Sequence, residues 1–206
     1  YIVNEDQFVE QVSCGLEYVA THDNFLAVGV RPTTPNTGYG YIQMDDEKDG
    51  AYPKVKSFTE KPDLQFAEMF VNSGEFLWNS GMFLCNLSTM LDMLAHELPA
   101  FSGCVETARS GASEQQMTEL FYTTYPSMDH QSIDLLLLEK TRNVVVMACN
   151  FGWADIGSWP ELHEVEQKDS DDNAVISSTK VLFDKAYGNL VCLPDAKAAV
   201  IAGLEG

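Results

Sequence analysis

The run FLAVGV, residues 25–30, contains five apolar residues and one glycine, with no polar side chain. A short continuous apolar run bounded by loop signals is typical of a buried strand. Upstream, Asn4 followed by Gln7 resembles a capping box and predicts the N-terminus of a helix. Apolar residues then recur at helical spacing, at Phe8, Val12, Leu16 and Val19. We therefore predict a helix that leads into a buried strand.

Helix and strand signals continue to alternate after this strand. Further strand patterns occur at YIQM (41–44), KVKSFTE (54–60), GMFLCN (81–86) and NVVVMAC (143–149). Helices are predicted from Asp63 to about Asn72, from Ser88, around 100–109 and 113–125, and over IDLLLLEK after a capping Ser132. Such alternation is typical of an α/β domain with a mostly parallel or mixed sheet.

From about Asp169 the pattern changes. The charged segment KDSDDN, residues 168–173, is followed only by the short β-like runs AVISS, KVLF, NLVCL and AAVIAG. Helical periodicity is missing from these runs. We therefore predict a domain boundary near Asp169, with residues 1–168 in the α/β domain and residues 169–206 in a β-rich domain.

The formal net charge of −19 limits the partners of the chain. Nucleic acids and anionic membrane surfaces bind proteins through basic surfaces, so we expect neither as a partner. A small phosphorylated ligand is compatible with this charge, because one lysine or a metal ion held by carboxylates can bind it.

The five cysteines are scattered, odd in number and without a C-x-x-C pair. This usage fits free thiols in a reducing compartment, in contrast to a disulfide framework or a zinc site. No apolar run approaches the length of about 18 residues that indicates a membrane span. We therefore expect a cytoplasmic protein.

Four segments place glycines and polar side chains where a strand meets a loop: GVRPTTPNTGYGYI, SFTEKP, FLWNSGMF and GWADIGSW. Strand ends are where ligands bind in α/β sheets. Each segment also has an ordinary interpretation when taken alone. Gly38 and Gly40 could form a hairpin corner, EKP could end a surface strand and WNSG could be a turn. Asp155 could be a solvated carboxylate before a helix that starts near Ser158.

Taken together and in order, five motifs resemble those of the sugar nucleotidyltransferases, most closely the bacterial mannose-1-phosphate guanylyltransferases. They are PNTGYGYI, FTEKPD, LWNSGMF, SIDLLLLEK and WADIGSW. The resemblance extends from about residue 1 to residue 205. It implies the C-terminal part of a Rossmann-like nucleotidyltransferase domain with a mixed sheet. It also implies that the β-rich segment is the start of a β-helix-like domain.

The resemblance implies roles for individual residues. Gly38 would lie against the mannose, with Tyr39 as a further substrate-binding residue. Glu60 would accept hydrogen bonds from ring hydroxyls, and Lys61 would neutralise the sugar phosphate as a catalytic residue. Neighbours on a strand point to opposite faces, so Glu60 and Lys61 can share a site only where the strand has ended. Pro62, which cannot continue a sheet ladder, predicts such an ending.

Two more positions complete the implied site. Asn79 would contact the sugar, and Asp155 would be a catalytic residue that coordinates the Mg²⁺ bridging the reacting phosphates. The family carries a glycine-rich nucleotide loop with basic residues, and no such loop occurs within these 206 residues. We therefore expect that loop and a second metal carboxylate upstream, and we expect this chain to be inactive alone.

The implied reaction joins mannose 1-phosphate and GTP to give GDP-mannose and pyrophosphate. A homodimer of the longer protein is compatible with the family, whose C-terminal domain often supports dimers. Two alternatives stay open. One is a non-catalytic regulatory homologue that binds a sugar phosphate, and the other is a nucleotidyltransferase for another sugar 1-phosphate. An intact basic glycine loop upstream would favour an enzyme over the regulatory homologue.

Overall fold

The computed structural model describes residues 1–127, 132–141, 143–178, 180–193 and 198–206. The chain divides into two compact units. The larger unit is Val3–Gly152, and the smaller unit is Tyr1–Ile2 together with Trp153–Gly206. The β-rich segment predicted from Asp169 lies within the smaller unit, and the domain boundary predicted there stays a prediction.

The larger unit alternates helices and strands, as the sequence predicts. Its strands are β1 (Phe25–Val30), β2 (Tyr41–Asp49), β3 (Tyr52–Thr59), β4 (Phe76–Leu84) and β5 (Val144–Cys149). Its first five helices are α1 (Glu5–Val19), α2 (Leu64–Ser73), α3 (Leu87–Glu97), α4 (Pro99–Arg109) and α5 (Glu114–Thr124). Helix α6 (Ile133–Leu135) continues as a π-helix over Leu136–Lys140.

The five strands form one closed sheet in the order β1-β4-β2-β3-β5. Strands β1 and β5 are parallel, with Phe25 opposite Val144. The other neighbouring pairs are antiparallel. A single residue pair, Lys54 and Val145, joins β3 to β5 and closes the sheet. The predicted α/β fold with a mixed sheet is therefore confirmed.

Strand β1 lies in the core of the larger unit, and all six of its residues are buried. A Cβ at Gly29 would approach Leu77 Cδ1 to 2.6 Å and Val146 Cγ2 to 2.9 Å. Glycine at this position therefore allows the side chains of β4 and β5 to pack against the β1 backbone. The core consists of Phe25, Ala27, Ile42, Leu77, Met93, Leu137, Leu138, Val144 and Val146.

The capping residues predict the helix starts well. Asn4, Asp63 and Ser132 each accept a hydrogen bond from a backbone N–H in the first turn of the helix that follows. Ser158 does the same for the helix that starts beside it. An N-cap hydrogen bond satisfies a backbone donor that the helix itself leaves unpaired.

Three predicted boundaries are wrong, and one of them is the end of β2, predicted at Met44 but observed at Asp49. The strand predicted over residues 81–86 begins at Phe76, because the polar WNSG segment lies within β4 and is not a plain turn. The helix predicted from Ser88 is capped by Asn86, whose Oδ1 accepts from the Thr89 N–H at 2.8 Å. Polar residues that are typical of loops thus lie within β4 and at the N-cap of α3.

The described residues of the smaller unit form helix α7 (Trp159–Val165) and four short strands. These are β6 (Ala174–Val175), β7 (Lys180–Asp184), β8 (Leu190–Val191) and β9 (Ala198–Ala202). Strands β6 and β8 pair in parallel, and so do β7 and β9. Two buried asparagines bridge successive segments, with Asn189 Nδ2 donating to Asn173 Oδ1 at 2.8 Å. Because parallel partners cannot be joined by a tight hairpin turn, the short strands of this segment are not spaced in the sequence as β-hairpins are.

The five cysteines are free thiols. Burial raises the pKa of the Cys149 thiol to about 12 and also raises the pKa of Cys85. Both thiols are therefore protonated at neutral pH, and the thiolate is the nucleophilic form.

Within the described ranges, no helix is both long enough and apolar enough to cross a bilayer.

Candidate functional site

Five of the six residues implied by the resemblance lie in the larger unit, around three strands that run side by side. Tyr41 of β2 pairs with the last residue of β3 on one side and with Trp78 of β4 on the other. Because β2 is antiparallel to both neighbours, one step back along β2 is one step forward along each of them. Gly40, Glu60 and Asn79 therefore form a row. The Asn79 N–H donates to the Gly40 carbonyl at 2.8 Å.

Gly40, at the centre of this row, is buried. A Cβ at this position would lie 2.8 Å from Glu60 Oε2 and 2.7 Å from the Phe58 ring. Only glycine fits there without displacing a neighbour. Backbones two strands apart are separated by roughly 10 Å. The side chains of Glu60 and Asn79 therefore lie on either side of the Gly40 backbone, and the Phe58 ring and the Glu60 carboxylate pack against that backbone.

Glu60 and Lys61 lie directly after the end of β3 at Thr59. Lys61 has a φ of 45°, in the left-handed region that residues other than glycine seldom adopt. This turn places Lys61 Nζ 3.8 Å from Glu60 Oε1. The strand has thus ended before Pro62, as predicted, and the two side chains lie together. The Lys61 side chain is 63% exposed, so its ammonium group is accessible to a ligand.

Gly38 and Tyr39 belong to the turn that precedes β2. The Gly38 N–H donates to Asn36 Oδ1 at 2.7 Å, and the Tyr41 hydroxyl donates to the Asn36 carbonyl at 2.9 Å. The Tyr39 ring meets Trp78 edge to face, with 5.1 Å between ring centroids. Gly38 itself is exposed. The glycine segment is therefore a turn, and the close backbone contact within it occurs at Gly40.

Asn79 opens a bulge in β4. Ala27 of β1 pairs with Phe83 of β4, and the next pair is Gly29 with Asn79. A step of two residues along β1 therefore corresponds to a step of four residues along β4. Bulges re-aim side chains and are common beside active sites. Gly81 supplies the positive φ of 74° that the bulge requires.

The amide group of Asn79 is held at both ends. Its Oδ1 accepts from the Gly81 N–H at 3.1 Å, and its Nδ2 donates to Asp134 Oδ1 at 3.0 Å. The other carboxylate oxygen of Asp134 accepts from the Ser132 hydroxyl at 2.9 Å. Sequence reasoning missed Asp134, which the motif SIDLLLLEK presents as an ordinary first-turn residue of a capped helix. The one available signal was an acidic residue inside a motif of the implied family.

Asp155 lies in the smaller unit, between Trp153 and α7, and is exposed. The cap of α7 is made by other residues. Ser158 accepts from the Glu161 N–H, and Glu161 Oε2 accepts from the Gly157 N–H at 3.0 Å and from the Ser158 hydroxyl at 2.9 Å. We find no hydrogen bond or ion pair of the Asp155 carboxylate with any residue that the structure describes. Asp155 therefore does not serve as the helix cap.

The donor set for a metal ion is small. Among the described residues, no group of three or more histidine, cysteine, aspartate or glutamate side chains converges on one point. Mg²⁺ usually keeps several waters and binds proteins through one or two carboxylates together with substrate phosphates. A single exposed carboxylate such as Asp155 fits that mode of binding, whereas a cage made only of protein groups does not.

The chemistry of the row in the larger unit suits a hydroxylated, anionic ligand. The Glu60 carboxylate accepts hydrogen bonds, the Asn79 amide can donate one and the Lys61 ammonium can pair with a phosphate. Groups of these kinds are suited to binding and orienting a ligand. Neither Cys85 nor Cys149 supplies a thiolate at neutral pH, because burial raises the pKa of each thiol.

Comparison with known proteins points in the same direction. Residues 1–172 match the family model described as nucleotidyl transferase. A mannose-1-phosphate guanylyltransferase of Escherichia coli is 35% identical over 74% of this chain and 34% of its own length. One of Salmonella montevideo is 33% identical over 84% of this chain and 38% of its own length. The chain thus spans little more than a third of these relatives.

A solved structure is also similar over the whole chain. It is the crystal structure described as mannose-1-phosphate geranyltransferase from Thermus thermophilus. The TM-score is 0.84 with 29% sequence identity, and the match covers 100% of this chain and 58% of that one.

Proposed function

This chain belongs to the nucleotidyl transferase family, and we propose that the protein transfers a guanylyl group from GTP to mannose 1-phosphate. The products are GDP-mannose and pyrophosphate. Relatives named mannose-1-phosphate guanylyltransferase support this choice of substrates. Residues 1–168 are the sugar-phosphate-binding part of the transferase domain in this proposal.

The row of Gly40, Glu60 and Asn79 is the observation that carries the proposal. It places an acceptor and a donor on either side of a position where a side chain cannot fit. Lys61 adds a positive charge beside Glu60. A hexose 1-phosphate offers matching groups, since its hydroxyls can meet Glu60 and Asn79 while its phosphate pairs with Lys61.

The reaction requires positioning and charge neutralisation. An oxygen of the sugar phosphate attacks the α-phosphorus of GTP, the bond to the β-phosphate breaks, and pyrophosphate leaves. Lys61 holds the attacking phosphate and offsets part of its charge. Asp155 is the residue that would hold Mg²⁺, which when bound supplies charge neutralisation at the reacting phosphates. Both are catalytic residues in this proposal.

The smaller unit has its own place in the proposal. We assign its β-rich part to the start of a β-helix-like domain. The parallel pairing of β6 with β8 and of β7 with β9 supports this assignment. Asn173 and Asn189, buried and hydrogen-bonded to each other, occupy matching positions in successive turns of such a domain. Free cysteines support a cytoplasmic location, and the dimer expected for the family belongs to this proposal as well.

Calorimetric titration of this chain with mannose 1-phosphate tests the binding half of the proposal. We expect mannose 1-phosphate to bind at least tenfold more tightly than inorganic phosphate, because hydroxyl contacts add to charge pairing. Equal affinity for the two ligands would contradict the sugar site. The catalytic half is tested in the protein that carries this chain, by measuring GDP-mannose formed from GTP and mannose 1-phosphate with Mg²⁺. A preference for another nucleotide or another sugar 1-phosphate would overturn the stated reaction.

A further inference from the structure

The Asn79 side chain is held by two partners whose hydrogen-bonding polarity is fixed. The Gly81 N–H can only donate, so it faces the amide oxygen at 3.1 Å. The Asp134 carboxylate can only accept, so it faces the amide nitrogen at 3.0 Å. Rotating the amide by half a turn would place N–H against N–H and oxygen against carboxylate. Both contacts would then be repulsive, so one orientation is selected.

We propose that Asp134 is a positioning residue, which makes Asn79 present an N–H and not a carbonyl to the sugar. This inference rests on the proposed function, because it names the polarity of one contact in the proposed sugar site. An amide nitrogen carries two N–H groups, and Asp134 uses one of them. The second N–H then donates to an oxygen of the hexose, which must act as the acceptor. The proposed sugar site then presents a fixed donor at Asn79 opposite the Glu60 acceptor.

Asp134 is itself well placed to act as a rigid support. It is half-buried, and its second oxygen accepts from the Ser132 hydroxyl. Three consecutive leucines that follow closely, Leu136, Leu137 and Leu138, are buried in the core. Asn79 and Asp134 are 55 residues apart, so the contact exists only because the helix docks beside the bulge of β4. Such support holds a binding group in its productive geometry.

A purely structural role for Asp134 predicts a different pattern of affinity losses from that of a positioning role. If the contact only anchored the helix, removing it would lower stability and weaken every ligand alike. If Asp134 acts through Asn79, its removal weakens the contact with the sugar and spares the contact with the phosphate. The helix start does not depend on this contact, because Ser132 supplies the N-cap.

The test measures binding of mannose 1-phosphate and of inorganic phosphate to this chain by calorimetry. We expect Asp134→Leu to weaken mannose 1-phosphate about tenfold and to leave inorganic phosphate unchanged. Asp134→Asn should restore most of the affinity, since its Oδ1 still accepts from Asn79 while its amide donates to the Ser132 oxygen. Asp92→Leu, which changes an exposed aspartate on α3 in the same way, is the matched control and should bind as the wild type does.

A double-mutant cycle completes the test. In an Asn79→Ala background, Asp134→Leu should cause no further loss of mannose 1-phosphate affinity, because the group it positions is gone. Additive losses, or equal weakening of both ligands, would overturn the positioning role while the sugar site stands. A wild-type chain that binds mannose 1-phosphate no better than inorganic phosphate would instead overturn the proposed function, and the positioning role with it.

Discussion

Gly40 is the residue on which the geometry of the proposed sugar site depends most directly. A methyl group there would collide with Glu60 Oε2 and with the Phe58 ring. We expect Gly40→Ala to cost about 1–3 kcal/mol of stability through overpacking and to weaken mannose 1-phosphate binding by displacing Glu60. At Gly38 the nearest atom to an added Cβ is Asn36 Oδ1 at 3.1 Å, so Gly38→Ala should be milder in both measurements.

Calorimetry for binding and denaturant unfolding for stability would check this pair. A larger binding loss for Gly38→Ala than for Gly40→Ala would indicate that the sugar lies on Gly38, as the family resemblance implies. The comparison therefore decides which glycine lies against the sugar.

Substitutions of Glu60 and of Lys61 should change ligand binding in different ways, although the two residues are adjacent. In the proposed site Lys61 pairs with the phosphate, so Lys61→Ala should weaken binding of all sugar 1-phosphates by a similar factor of about ten. In the same proposal Glu60 accepts hydrogen bonds from ring hydroxyls, so Glu60→Ala should mainly reduce discrimination between mannose 1-phosphate and its epimers. Lys56→Ala, which removes an exposed lysine of β3, controls for net charge. Titrations with mannose, glucose and galactose 1-phosphates give the comparison, and a uniform loss for both variants would reject these roles.

Within the strands and helices, replacing glycine with alanine should have opposite effects on stability at Gly29 and at Gly103. Gly29 in β1 faces Leu77 and Val146 at distances no Cβ tolerates, so Gly29→Ala should destabilise by about 1–3 kcal/mol. Gly103 lies inside α4 with nothing within 4 Å of an added Cβ. Gly103→Ala should stabilise by roughly 0.5–1 kcal/mol, because alanine loses less backbone entropy in a helix. Urea unfolding of both variants measures the difference. A stabilising Gly29→Ala would contradict the packing of β1, and a destabilising Gly103→Ala would contradict the open space beside α4.

The starts of the helices were predictable because capping is local. Asn4, Asp63 and Ser132 each bond to a backbone group within three residues, so the sequence carries both partners in one short window. The bounds of β1 were predictable for a related reason, since all six of its residues are buried and apolar.

The bulge of β4 and the role of Asp134 were not predictable in this way. The polar residues of WNSG suit a turn, and pairing with β1 and with β2, both distant in sequence, keeps them in a strand. The contact between Asn79 and Asp134 depends on how a distant helix docks, which no local pattern records. The family motifs pointed to Glu60 and Asn79 as candidate sugar-binding residues without supplying these contacts.

For the whole molecule, charge is the dominant feature. A formal net charge of −19 makes the folded chain repel itself, and this repulsion weakens as salt screens it. The screening length falls from about 30 Å at 0.01 M to about 8 Å at 0.15 M ionic strength. Mg²⁺ should therefore raise the melting temperature of the chain without occupying any particular site, and a thermal shift by itself does not identify a metal ligand.

Asp155 must accordingly be tested by a measurement that general screening leaves unchanged. In the protein that carries this chain, Asp155→Asn should raise the activation free energy by roughly 3–4 kcal/mol, because a charge opposing the reacting phosphates is lost. Turnover should therefore fall a few hundredfold. Without Mg²⁺ the melting temperature of this variant should be close to that of the wild type, since Ser158 and Glu161 hold the start of α7. Asp171→Asn removes the same charge from another exposed position of the smaller unit and should keep normal turnover. Turnover is followed against Mg²⁺ concentration for all three proteins. If Asp155→Asn retained near-normal turnover at limiting Mg²⁺, Asp155 would not be a metal ligand, and its carboxylate would be only one of the many surface charges of this acidic chain.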